Sequence, residues 1–110
     1  MNKSPIQTKT ISNHTIITPT GTIDFINAGM LDQEIQHSFD QNIYNIIIDL
    51  EQVKLITSVG LRVILKTVRE CLKHTGSLKL LHTSESIQDT LKIIGIKFDL
   101  YNSLSEALNS

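Results

Sequence analysis

The sequence predicts an α/β fold, a mixed β-sheet of four to five strands packed with about four helices. Three observations predict it. Two β-branched segments separated by a short polar turn open the chain, an unbroken isoleucine run lies near its middle, and from there strand-like segments alternate with segments of helical periodicity. A chain of 110 residues suffices for one core between layers and is too short for a second independent one, so one domain spanning 1–110 is expected.

Ile6 to Ile11 and Thr15 to Thr18 are the β-branched pair, joined through Ser12, Asn13 and His14, and they predict a hairpin. Pro19 and Gly21 break its second strand. A first helix is expected from Asn27, a residue type favoured at helix caps, to about Asp40, because Leu31, Ile35, Ser38 and Phe39 recur at helical spacing. Gly29 weakens its start. Tyr44 to Leu50 carries Ile46, Ile47 and Ile48 in succession, the pattern of a central strand covered on both faces. Glu51 to Lys54 reads as a loop.

The second helix is expected to face the core through Leu61, Ile64, Leu65, Val68 and Leu72, with Gly76 as its stop. "SLKLLH" reads as another strand. Ile87, Leu91 and Ile94 mark a third helix ended by Gly95, and "KFDLY" a short edge strand. Ser103 and Glu106 stand at capping-box spacing, which places a short helix at the end of the sequence.

Composition excludes several function classes. Ten basic and eleven acidic residues give a net charge of −1, so no general electrostatic attraction to nucleic acid or anionic membranes is expected. The single Cys71 has no partner for an internal disulfide and reads as a buried thiol in a reducing compartment. "MNKSPIQTKTIS" lacks the apolar run of a secretory signal, and no segment approaches the ~20 apolar residues that insert across a bilayer. A cytoplasmic protein is expected. His14, His37, His74 and His82 have no metal-ligand spacing and read as solvated surface groups. No G-x-S-x-G elbow surrounds Ser58, and "TSVG" is not a glycine-rich phosphate loop. Neither an enzyme nor a cofactor is expected.

What remains is the junction before the second helix, where Thr57 and Ser58 precede Val59 and Gly60. Either hydroxyl could cap the helix, a structural role worth about 1 kcal/mol. A helix N-terminus also tolerates an added phosphoryl group, since its free N–H groups and positive dipole end compensate negative charge. Val59, Arg62, Val63 and Lys66 fall at i, i+3, i+4 and i+7, opposite the expected core stripe. They form a candidate docking surface beside Ser58.

The run "IIIDLEQVKLITSVGL", with "GTID" upstream and "GSLKLLHTSESIQDTLKIIGIKFDLYNSLSEAL" downstream, resembles the STAS-domain anti-sigma-factor antagonists of bacterial partner-switching systems. Their pattern is an apolar strand ending in Asp-Leu, a short loop, then Asp-Ser-Ser/Thr-Gly-Leu opening a helix. The resemblance covers nearly the whole chain and implies a STAS-like fold. It also implies that Ser58 is the phosphoacceptor of a partner that is both serine kinase and anti-sigma factor. The unphosphorylated antagonist binds that partner, phosphorylation ends the binding, and a PP2C-type phosphatase resets it. Asp24 and the helix start, with Thr57 and Gly60, then belong to the contact surface, alongside Val59, Arg62, Val63 and Lys66. Thr57 replaces the usual Asp and Val59 the second hydroxyl residue, while Arg62 and Lys66 replace residues that are small in many members and suit a more acidic partner. The alternative reading is a STAS scaffold module of a stressosome-like or membrane-transport complex, with Ser58 only a helix cap.

Overall fold

β1 (Ile6–Ile11) and β2 (His14–Pro19) pair antiparallel with Ile11 opposite His14. Ser12 and Asn13 between them both take left-handed backbone angles, φ 48° and 60°. A two-residue turn of that kind matches the twist of the strands it joins. These residues belong to a computed structural model that describes residues 6–95 and 97–110. Residues 1–5 and Ile96 lie outside the described residues.

The chain continues through β3 (Gly21–Ile23), α1 (Phe25–Asp40), β4 (Asn45–Asp49), β5 (Val53–Ile56), α2 (Ser58–Lys73), β6 (Ser77–Leu81), α3 (Glu85–Ile93), β7 (Asp99–Tyr101) and α4 (Leu104–Leu108). The main sheet has the order β1-β2-β4-β6-β7 and is parallel from β2 onward. β4 is its central strand, as the isoleucine run predicts. Ile46 and Ile48 face one side with Ile17 and Leu80, in a core closed by Leu31 and Ile35 of α1, Ile64 and Cys71 of α2, and Ile87 and Leu91 of α3. Ile47 faces the other side with Ile16 and Leu81, under Ala107 of α4. Successive side chains of a strand point to opposite faces, which is why both layers of helix are needed to bury one apolar run. The buried Lys79 anchors α4 by donating to the carbonyls of Ala107, at 2.7 Å, and Ser110, at 3.1 Å.

Four sequence expectations need correction. α1 begins earlier than Asn27: Asp24 is the cap and accepts from the Asn27 backbone N–H at 3.0 Å. Part of the expected loop at 51–54 is β5, which pairs in parallel with β3 as a separate two-stranded ribbon and buries Val53 and Ile56. The core face of α2 is turned by nearly one residue's step, onto Gly60, Ile64, Thr67 and Cys71. Leu65 is half-exposed, Leu72 is 67% exposed, and Val63, expected on the outer face, packs partly against the core. Thr67 can lie inside because its hydroxyl donates to the Val63 carbonyl at 2.7 Å. Lastly, Thr75 and not Gly76 takes the left-handed angle after α2, φ 56°. Gly76 is needed for a different reason, since a Cβ there would overlap the Tyr44 carbonyl.

Candidate functional site at the start of the second helix

β3 and β5 end side by side, with Ile23 opposite Ile56 and both buried. Each strand runs straight into a helix, so α1 and α2 start next to one another. The Ile23 carbonyl accepts twice from Thr57, from the backbone N–H at 3.1 Å and from the hydroxyl at 2.9 Å. Gly60 then lets the first turn of α2 lie directly on the ribbon. A Cβ there would stand 2.8 Å from the Cγ2 of Ile23 and 2.9 Å from that of Ile56.

Thr57 occupies the cap position of α2, but its side chain makes no capping hydrogen bond. The Thr57 hydroxyl points to Ile23 instead. Ser58 is the first helical residue, is exposed, and its hydroxyl has no hydrogen-bond partner among the described residues. The cap reading of Ser58 therefore fails on geometry. Thr57→Val should cost about 1 kcal/mol by urea unfolding, the net worth of one hydrogen bond. An unchanged midpoint would show that the backbone donor alone holds the junction.

The predicted site residues divide into three groups. Asp24, Thr57, Ser58 and Val59 meet at this corner, Val59 36% exposed. Arg62 and Lys66 project from the exposed side of α2, with Lys66 Nζ 3.0 Å from Asp32 of α1. Gly60 is buried and Val63 half-buried, so these two position the helix. Sequence reasoning missed Phe25 and Ile26, 72% and 73% exposed in the first turn of α1 beside the same junction. Their signal is an apolar pair directly after the capping Asp24, which a helix beginning at Asn27 does not include.

Other groups carry less chemistry. Burial, with a smaller contribution from Glu70, pushes the Cys71 thiol up to about 12, so it stays protonated and unreactive at neutral pH. His82 is not simply solvated: its Nδ1 lies 3.2 Å from Asp49 Oδ1 and 3.6 Å from Glu51. His74 stacks on Tyr44 with ring centroids 3.8 Å apart. Among the described residues no group of three or more His, Cys, Asp or Glu is placed to hold a metal ion, and no helix is long and apolar enough to cross a membrane.

Comparison with known proteins places this geometry. The STAS domain profile matches residues 5–107. A candidate anti-sigma factor antagonist from Thermotoga maritima superposes with a TM-score of 0.86 at 20% identity, over 94% of this chain and 92% of that one. An anti-sigma factor antagonist from Mycobacterium paratuberculosis gives 0.81 at 24% identity, over 94% and 90%. The Bacillus cell fate determinant SpoIIAA in its phosphorylated form gives 0.79 at 20% identity, over 94% and 96%. No curated protein matches this chain by sequence. At these identities the structural likeness establishes the fold, and the profile match over almost the full length establishes the family: the chain belongs to the STAS-domain family.

Proposed function

We propose that the protein is a cytoplasmic anti-sigma-factor antagonist, a binding switch that works without catalysis. Unphosphorylated, it binds a serine kinase that doubles as anti-sigma factor; phosphorylation at Ser58 ends that binding, and a PP2C-type phosphatase restores it. The observation that carries this reading is the unpartnered, exposed hydroxyl of Ser58 at a rigid corner, flanked by the exposed apolar side chains of Phe25, Ile26 and Val59. A kinase needs such a hydroxyl free, and a docking partner needs apolar area beside it.

The phosphoryl group would bring about −1.5 to −2 charges to the first turn of α2, where the helix dipole offsets part of that charge and the fold survives. The docked partner meets a hydrated dianion in place of a small hydroxyl. Affinity for the kinase is expected to fall at least tenfold, about 1.4 kcal/mol. Isothermal titration of the kinase with unmodified protein, phosphoprotein, Ser58→Asp and Ser58→Ala tests this, with circular dichroism to check each fold. Equal affinity of the unmodified and phosphorylated forms, all folded, would remove the switch and favour a STAS scaffold.

A further inference from the structure

The exposed side of α2 is basic along its whole length. The helix carries Arg62, Lys66, Arg69 and Lys73 against the single carboxylate of Glu70, in a protein whose net charge is −1. These four cations are not equivalent. Lys66 is held by Asp32, its Nζ 3.0 Å and 3.1 Å from the two carboxylate oxygens, and Lys73 lies 3.7 Å from Glu70. Arg62 and Arg69 are exposed and have no acidic partner among the described residues. They stand seven residues apart, two helical turns and about 10 Å along the axis, on nearly the same line of the helix surface.

We infer that Arg62 and Arg69 are paired anchors for an acidic protein surface, one that presents two carboxylate groups about 10 Å apart, as a helix with glutamates at heptad spacing does. The inference rests on the proposed binding function but extends the contact two turns beyond Ser58, to a residue outside the surface expected from the sequence. Guanidinium groups suit this task because each offers a planar fork that takes a carboxylate in two parallel hydrogen bonds. Val59, 36% exposed, lies one turn before Arg62 on the same helix, so an apolar contact there would have the two arginines at its charged margin, the usual anatomy of a protein interface.

Nucleic acid and membranes fit less well. Non-specific binding to DNA draws on roughly 6–10 phosphate contacts, and polybasic membrane targeting on clusters of about 4–8 free cations. Here two of the four are already occupied by Asp32 and Glu70.

Two measurements test the inference separately from the switch. In the first, the kinase is titrated with Arg62→Glu and Arg69→Glu at low and high salt. Each reversal should weaken binding about tenfold at low salt, an effect that shrinks as salt screens it, while thermal stability is unchanged. Tight binding by both variants would overturn the paired-anchor reading and leave the proposed function standing. The second needs no kinase: the full chain, labelled for NMR, is titrated with an alanine-based helical peptide carrying heptad-spaced glutamates, and with its glutamine counterpart. The Nε–H signals of Arg62 and Arg69 should shift with the glutamate peptide alone. No shift, equal shifts with both peptides, or stronger shifts with a DNA duplex or phosphatidylglycerol vesicles would overturn it.

Discussion

Ile64→Ala is expected to lower the unfolding free energy by about 2–5 kcal/mol, the range for truncating a fully enclosed aliphatic side chain. Ile64 is 0% exposed at the middle of α2 and joins the core between sheet and helices. Truncation removes buried area and leaves a cavity that neighbours on three helices and a sheet cannot easily collapse into. Leu72→Ala on the same helix is the contrast. That side chain is 67% exposed, and its loss should stay within about 0.5 kcal/mol. Urea unfolding of the two variants reads the rotation of α2 directly, and similar losses in both would return the core face to the leucine and valine stripe.

Gly76→Ala should cost about 3 kcal/mol, at the upper end of overpacking effects. The residue lies between the end of α2 and the start of β6, where its N–H donates to the Cys71 carbonyl at 2.8 Å. The Tyr44 carbonyl, which accepts from Ser77 N–H at 3.0 Å, occupies the space a methyl group would need. An added Cβ has to push Tyr44 away and so breaks the first rung of pairing between β4 and β6, the middle of the sheet. The obstacle is backbone, which cannot change rotamer to make room. A stability loss below about 0.5 kcal/mol would show that the Tyr44–Ser77 bond is dispensable.

How much was legible in the sequence follows from the same physics. The isoleucine run revealed β4 because only a strand covered on both faces has no polar alternation, and the capping pair Ser103 and Glu106 announced α4, where Ser103 Oγ does accept from Glu106 N–H at 3.2 Å. β3 and β5 were not legible. Three and four residues are too few to show a period, and each is stabilised by the other across a long stretch of sequence. The buried face of α2 is not legible either, because hydrophobicity does not measure burial on this helix. Gly60 is buried because the first turn of α2 lies directly on the ribbon, and the small Thr67 and Cys71 continue that buried face, while Leu61 and Val68 pack only partly against the core and Leu72 is left outside. Ser58 was placed correctly at the helix start, but the sequence could not show that Thr57 bonds backwards to Ile23 and leaves Ser58 unengaged.

That double bond to one carbonyl has a wider consequence. Two stretches of chain more than thirty residues apart are fastened at Ile23, so Asp24, Phe25 and Ile26 keep a fixed position relative to Ser58 and Val59 before any partner arrives. Binding to such a preorganised surface loses little conformational entropy in the main chain. A phosphoryl group on Ser58 would correspondingly find no hinge to move. In the proposed switch the two forms would share one backbone, and their difference would be written in solvation and charge at the corner.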